Sequence, residues 1–424
     1  MNNIMVISYN ALMSSSPNGR TMQSLLQGIP SQNISLFTCY GMPDAGSCSS
    51  AFKVSNRDAL RSLLRSESVG RCIDMANITD TQESVISQDV RKGARKAWKY
   101  LAKEIVWCLG KWKNKKLKEW LKNQKPEALM YMYGDTPSMQ RFAVYVSKKM
   151  SIPLVVYSCE DYCFKDYNYI DNKKHSLAFK LYHNWSKRAT KKLFKQASAL
   201  ITNSDQLGRD YQKAYNLQNV ATVMMASNMS CIDNGIVRPI EETNITYLGA
   251  LGEYRIDALI EIANALQVID SRLKLDVYGR ASSEVQSQLE ACEGIRFHGF
   301  VPYETVKNVM RSSSLLIEAI NHDEYVCKDK RYGLSTKYAD SFACGTPFLV
   351  YAPEAIIETS FAKEHQCAFV AATKDELVDT LKTALFDFEA RQRQLEFAQK
   401  VTARYFDQEK NIKTVCDILE SVTK

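Results

Sequence analysis

The chain is 424 residues long, 45% hydrophobic and 24% charged, a composition that excludes disorder and predicts two or three domains at about 150 residues each. Gly (17) and Pro (10) are sparse, which excludes collagen-like and low-complexity chains, and the absence of any run of about 18 apolar residues excludes a membrane-spanning helix. The net charge of +8 is uneven: Arg91–Lys125 carries thirteen Lys or Arg against Glu104 and Glu119, a net of +11, which leaves the remainder near −3 (8 minus 11).

The first predicted element is the strand Ile4–Tyr9, with no basic region ahead of it that would mark a leader peptide. Ser14–Thr21 follows and feeds an amphipathic stretch; Gly19, Arg20 and Thr21 are candidates for a turn whose N–H groups meet a phosphate, with a plain surface loop as the alternative. Arg91–Lys125 also holds Trp98, Trp107, Trp112 and Trp120, four of the five Trp, and Leu101, Ile105, Leu109 and Trp112 recur at helical spacing. A Trp/Leu/Ile face opposite a Lys-rich face fits an interfacial membrane helix. Two solvated helices packed on their own domain would read the same way. Nucleic-acid binding lacks any accompanying module and is not expected.

Strands are predicted at Ala128–Tyr133 and Ile152–Ser158, each followed by acids: Asp135 after the first, Glu160 and Asp161 after the second. These acids suit an acceptor hydroxyl or developing positive charge, or serve as ordinary helix caps. A second basic stretch, Lys173–Lys195, has eight Lys or Arg and no acid, interleaved with Phe179, Tyr182, Trp185 and Phe194. Strands at Ala199–Asn203 and Val220–Met225 complete the first series.

The polar stretch Ser227–Asn244 reads as a linker, dividing the chain into domains at about 1–228 and 240–400. Strands resume at Ile245–Gly249, Leu273–Gly279, Ile295–His298, Leu315–Ile320, Phe348–Tyr351 and Ala368–Val370. Ala258–Val268 is a helix with Leu259, Ile262, Ala263 and Leu266 on one face. Strands alternating with helices, several of them continuous apolar runs, predict an α/β fold of two doubly wound parallel sheets, with ligands at the carboxyl ends of strands and in the cleft between domains.

The strongest local signal is Tyr332-Gly-Leu-Ser-Thr-Lys-Tyr-Ala-Asp-Ser-Phe-Ala-Cys-Gly-Thr-Pro347, followed by the strand Phe348–Tyr351. Ser335 and Thr336 are expected to cap a helix that Lys337 opens, with Ala339, Phe342 and Ala343 on its core face and Gly345 ending it. Ser, Thr and Lys at a helix start suit a phosphate, and Asp340, one turn on, suits a sugar hydroxyl pair; a surface ion pair between Lys337 and Asp340 is the alternative.

This block resembles the Ser–Lys…Glu-Tyr…Ala-x-Gly-x-Pro segment of retaining glycosyltransferases of the GT-B fold (family 4-like), the group that includes bacterial capsule, O-antigen and lipopolysaccharide enzymes. The resemblance implies that Thr336 and Lys337 contact the donor diphosphate and Asp340 the ribose. It departs in two places: Asp340 stands where the family has Glu, and Tyr332 where many members have another Glu. Tyr247–Arg255 is similar to the family's first strand and loop of the donor domain, with Gly249, Gly252 and the diphosphate-reaching Arg255. Leu275–Arg280 matches the next strand with its terminal Gly279. Ile295–Pro302, with His298, Gly299 and Phe300, matches the segment bordering the base. The resemblance covers roughly Ile245–Tyr351. It further implies a C-terminal helix (about residues 405–424, from roughly Asp407) that returns to the first, acceptor-side domain.

None of His175, His183, His298, His322 and His365 lies in a metal-ligand pattern, no Asp-x-Asp occurs, and Cys159-x-x-x-Cys163 lacks a partner pair. The twelve scattered Cys read as reduced thiols of a cytoplasmic chain. The resemblance implies hexosyl transfer from a nucleotide-diphosphate sugar to a glycan or lipid-linked acceptor, expected to be metal-independent. No cofactor is expected beyond the nucleotide-sugar substrate. Asp135, Glu160, Asp161, Arg255 and Lys337 are the catalytic candidates, and the basic stretches are expected on the inner leaflet of a membrane. A non-catalytic protein of the same fold and a nucleotide-sugar epimerase remain as alternatives.

Overall fold

The computed structural model describes residues 3–65, 67–75, 95–171, 176–227, 229, 236–252 and 254–423. His175, Glu253, the linker positions 228 and 230–235, and the ends of the two basic stretches at 91–94 and 173–174 lie outside them. Two compact units divide the chain: Met1–Val223 with Glu409–Lys424, and Met224–Gln408.

The first unit holds β1 (Ile4–Asn10), α1 (Pro17–Leu26), β2 (Ile34–Tyr40), β3 (Ser50–Lys53), α2 (Asn56–Leu64), β4 (Arg71–Ile73), α3 (Ala97–Leu109), α4 (Lys115–Gln124), β5 (Ala128–Met132), α5 (Pro137–Met150), β6 (Leu154–Ser158), α6 (Leu177–Gln196), β7 (Ala199–Thr202), α7 (Asp205–Tyr215) and β8 (Val220–Thr222). The strands form one sheet in the order β4-β3-β2-β1-β5-β6-β7-β8, parallel except for β4 against β3. Helix starts follow the local chemistry. Ser16, Ser55, Asn114, Ser176 and Ser204 each accept a backbone N–H from the first turn. All seven residues of β2 escaped the sequence reading because Ser35 and Thr38 interrupt its apolar run. Both hydroxyls are buried and donate to β1 carbonyls, Ser35 to Ile4 at 3.4 Å and Thr38 to Tyr9 at 3.2 Å.

The second unit holds β9 (Ile245–Leu248), α8 (Ile256–Ile269), β10 (Leu275–Tyr278), α9 (Ser283–Glu290), β11 (Ile295–Gly299), α10 (Tyr303–Ser312), β12 (Leu315–Ala319), α11 (Glu324–Asp329), α12 (Lys337–Ala343), β13 (Phe348–Tyr351), α13 (Ile357–His365), β14 (Phe369–Ala371), α14 (Lys374–Phe386) and α15 (Phe388–Tyr405). Its sheet is all parallel, in the order β11-β10-β9-β12-β13-β14. Leu259, Ile262, Ala263 and Leu266 of α8 are fully buried, as their spacing predicts. The last helix, α16 (Gln408–Thr423), brings Val415, Ile418 and Leu419 into the core of the first unit.

The basic Trp-rich stretch is corrected by the structure. It is two helices, α3 and α4, and the break between them holds Trp112, which is 1% exposed and donates its indole N–H to Trp107 O at 2.8 Å. Trp107 and Trp120 are also buried. Aromatic packing on Phe37 and Phe142 absorbs Trp112, with Trp107 against it, and Phe52 absorbs Trp120. Only Trp98, Ile105 and Leu109 keep an exposed apolar stripe on α3.

Candidate active site

In a doubly wound sheet the ligand end lies where the strand order reverses, because loops diverge there and leave backbone groups open. That point in the second unit is β9/β12. β12 is apolar except for Glu318, which is buried and receives two cations on separate oxygens. Arg255, the residue before α8, donates Nη1 to Oε1. Lys337, the first residue of α12, places Nζ 2.8 Å from Oε2. Each cation has a second tie to a strand-end carbonyl: Arg255 to Ala319 O at 2.8 Å and Lys337 to Leu248 O at 3.1 Å. The Tyr247 ring lies against both, its centroid 4.7 Å from Lys337 Nζ and 5.8 Å from the Arg255 guanidinium carbon.

The electrostatics follow from burial of like and unlike charges together. Burial pushes the Lys337 ammonium down to about 8, with Glu318 resisting and Arg255 adding to the fall. Burial opposes ionisation of Glu318, yet Arg255 and Lys337 hold its carboxyl below the ordinary value. Glu358, on α13, is pushed up to about 8 by burial and by Glu318, and its Oε2 has no hydrogen-bond partner among the described residues. The site is thus two cations, one carboxylate and one proton-bearing acid.

Glycine lets these groups meet. A Cβ on Gly249 would lie 2.6 Å from Lys337 Nζ, and one on Gly279 would lie 2.0 Å from Gly249 O, a backbone atom that cannot yield. Gly252 accepts the Arg255 N–H at 3.1 Å in the turn between them. Asp340 does not pair with Lys337. Its two oxygens accept from Ser227 Oγ at 2.6 Å and Tyr303 OH at 3.0 Å. Ser335 accepts the Lys337 N–H at 3.4 Å, whereas Thr336 is helical in φ and ψ and its side chain caps nothing, contrary to expectation. Tyr332 is buried.

A second cluster borders this one through β10. His298 Nε2 is 2.7 Å from Asp276 Oδ1, and its ring stacks on Tyr278 at 4.4 Å. Gly299 O accepts from Gly279 N at 2.8 Å. Phe300 is exposed, and the Arg280 guanidinium lies 4.2 Å from its ring centroid.

In the first unit the reversal is β1/β5, and Asp135 follows β5 there. Burial raises its carboxyl, against the pull of Lys103, and its carbonyl accepts from Tyr182 OH. Beside it, Glu104 is fully buried, with Oε2 accepting Ser138 N–H at 2.7 Å at the start of α5 and Oε1 3.5 Å from Lys103 Nζ. Asp161 is not open to a ligand in the same way: buried Lys165 sits 3.3 Å from it, which spends its charge internally. The Glu160 carbonyl accepts from Ser158 Oγ and Tyr211 OH. Gly19, Arg20 and Thr21 lie inside α1 rather than in a turn ahead of it, and the Thr21 hydroxyl donates to Pro17 O at 3.0 Å. The helix begins at Pro17, which has no N–H, and the N–H groups of Gly19 and Arg20 go to Ser16 Oγ and Ser16 O at 3.5 Å and 2.9 Å.

Glu318, Glu358 and the Lys103–Glu104 pair were missed from sequence. Glu318 had a signal, a lone acid in a strand buried on both faces. Glu358 and Glu104 had none, because each sits at a helical position where an exposed acid is ordinary.

Comparison with known proteins bears on the second unit most directly. Residues 242–387 match the family described as glycosyl transferases group 1. None of the curated proteins compared matches the chain. Among solved structures, Anabaena HepE in complex with UDP and glucose superposes with a TM-score of 0.62 at 10% identity, over 99% of this chain and 100% of that one. Sucrose-phosphate synthase from Thermosynechococcus elongatus gives 0.61 at 10% identity, over 99% of both chains. A glycosyltransferase from Rickettsia africae gives 0.61 at 10% identity, over 100% of this chain and 99% of that one. The fold is GT-B. The two sheets are the two Rossmann-like halves of that fold, and the matched family segment runs from the 3₁₀ turn before β9 through α14, enclosing Arg255, Glu318 and Lys337.

Proposed function

We propose that the protein is a glycosyltransferase that moves a hexosyl unit from a nucleotide-diphosphate sugar to an acceptor hydroxyl, with retention and without a metal. The observation that carries this reading is the Arg255–Lys337 pair at the β9/β12 reversal, held on one buried carboxylate with donors to spare. An ammonium has three N–H donors and a guanidinium five, so both retain hydrogen-bonding capacity for phosphate oxygens. As the sugar leaves, negative charge develops on the nucleoside diphosphate, and two fixed cations stabilise it electrostatically. In retention the departing phosphate itself takes the acceptor proton, so no dedicated base is needed at this site. Gly249, Gly252 and Gly279 admit the donor backbone-close; His298, Gly299 and Phe300 border the base. Asp135, with its raised carboxyl, is the acceptor-side candidate.

The acceptor we propose is a lipid-linked glycan of a bacterial surface polysaccharide, which places the enzyme peripherally on the inner leaflet. No helix among the described residues is long and apolar enough to cross a membrane. The exposed apolar stripe Trp98–Ile105–Leu109 of α3 supports surface binding, as do exposed Leu177 and Leu181 of α6, a helix that packs against α3, and the exposed cations Lys99 and Lys180 on the same two helices. A second reading, a GT-B protein that binds nucleotide without turnover, is favoured by Asp340, whose oxygens are already occupied by Ser227 and Tyr303.

The test is a thermal-shift panel of UDP, GDP, ADP and CMP with their sugar conjugates, with and without Mg²⁺, followed by transfer assays. A bound nucleotide raises the midpoint as RT ln(1 + [L]/Kd). Lys337→Ala removes a charge-assisted hydrogen bond and is expected to weaken nucleoside diphosphate binding by about 10- to 100-fold. No shift with any nucleotide refutes the donor site, and binding without transfer supports the second reading.

A further inference from the structure

A half-buried lysine beside an arginine needs a reason to stay charged. Lys337 is held by α12, Arg255 by the turn before α8, and between them stands the single acid of β12. We propose that Glu318 is a positioning residue of the phosphate site: its two oxygens hold Arg255 and Lys337 side by side as charged donors, so that an incoming diphosphate meets them already aimed and already protonated. The proposal rests on the donor-binding reading above.

The geometry supports a holding role rather than a packing one. Each oxygen takes a different cation, and each cation has one further tie to a strand-end carbonyl, at Leu248 or Ala319. Two ties fix a direction, and the remaining N–H groups point elsewhere. The Glu318 side chain is 1% exposed, whereas those of Arg255 and Lys337 are 14% and 29% exposed, so solvent reaches the donors but not the clamp. The groups facing Lys337 are Glu318 from β12, Arg255 from before α8, Glu358 from α13 and the Tyr247 ring from β9. Of these, burial keeps Glu358 protonated near neutrality, which leaves Glu318 as the carboxylate that sustains the ammonium. Arg255 and burial both drive the proton off Lys337, and among the described residues Glu318 opposes them most, with Glu358 adding less.

The expected pH dependence has a counter-intuitive sign. Removing a negative charge beside a phosphate site ordinarily tightens anion binding. Here, removing it also discharges Lys337 as the pH rises through neutrality. Glu318→Gln should therefore bind UDP and inorganic pyrophosphate as tightly as wild type, or tighter, at pH 6. At pH 8 it should bind about tenfold more weakly, the change expected when one proton's loss moves down by a pH unit. Comparison with wild type at each pH cancels the ligands' own titration. Glu318→Asp should restore most of the wild-type profile. Lys337→Arg, which does not titrate in this range, should abolish the pH dependence in both backgrounds.

Calorimetric titrations of UDP and pyrophosphate across pH 6–9 read the affinity. Circular dichroism and melting at pH 6 confirm that each variant is folded. Competitive acetylation of the free protein, with the Lys337 peptide read by mass spectrometry, gives the ammonium's midpoint without any ligand. The expected result is a midpoint lowered by a unit or more in Glu318→Gln and restored in Glu318→Asp. An unmoved midpoint, or an affinity profile for Glu318→Gln that parallels wild type or lies above it at every pH, overturns the proposal. A lowered midpoint in a protein that binds no nucleoside diphosphate supports the clamp and refutes the donor reading instead.

Discussion

Glu358→Gln tests the electrostatics of the site in one measurement. The carboxyl is 1% exposed, lies near Glu318 and is pushed up to about 8. In the unfolded chain it ionises with an ordinary value near 4.5. Between those two values the folded protein holds a proton that the unfolded chain has released, so wild-type stability falls as pH rises through that window. Each pH unit is worth about 1.4 kcal/mol, so from pH 5 to pH 7 the wild type loses roughly 2–3 kcal/mol from this group. Glutamine matches the protonated acid in shape and cannot ionise. The difference between variant and wild type should therefore grow by that amount over the two units, with every other group cancelling. At about 2–4 °C per kcal/mol for a unit of this size, the variant's melting temperature should gain roughly 5–10 °C relative to wild type between pH 5 and 7. Differential scanning calorimetry at half-unit intervals reads it. A difference that stays flat across the window would mean that Glu358 ionises normally in the folded state, and the account of the buried charge cluster would be wrong.

Other predictions follow from close approach and exposure. Gly279→Ala drives a Cβ into Gly249 O and should cost about 2–3 kcal/mol on melting, with loss of nucleotide binding through displaced Lys337; a variant as stable as wild type would refute the packing account. Ending the chain after Gln408 removes Val415, Ile418 and Leu419 from the first unit's core, and should lower its stability by about 4 kcal/mol or more in denaturant titration. Replacing Trp98, Ile105 and Leu109 together with Asp should abolish co-sedimentation with anionic liposomes while leaving the melting temperature within a degree or two, since all three side chains are exposed. Because Trp107, Trp112 and Trp120 are buried and Trp185 is half-buried, most of a lipid-induced blue shift in emission should be lost in Trp98→Phe.

The sequence by itself was enough for the alternation of strands and helices, because runs such as Ala128–Met132 and Leu154–Ser158 are apolar on both faces and only a covered parallel sheet accepts them. It was also enough for Lys337 at a helix start and for α8, whose buried face is written at a period of 3.6. It could not yield β2, where two hydroxyls break the run and find their partners on a strand some thirty residues away. Nor could it say which Trp of the basic stretch face water. Helical spacing placed Trp112 on the outer face, but the helix stops at Leu109, and the ring turns into a core built by Phe37 and Phe142. The charge cluster was the least legible part. Arg255, Glu318, Lys337 and Glu358 are spread over about a hundred residues. Arg255 and Lys337 were marked by the family resemblance, Glu318 only as a lone acid in an apolar strand, and Glu358 by nothing local. Only the β9/β12 reversal brings them into contact, and a buried charge acquires its partner, its protonation and its role from neighbours that the local chain does not contain.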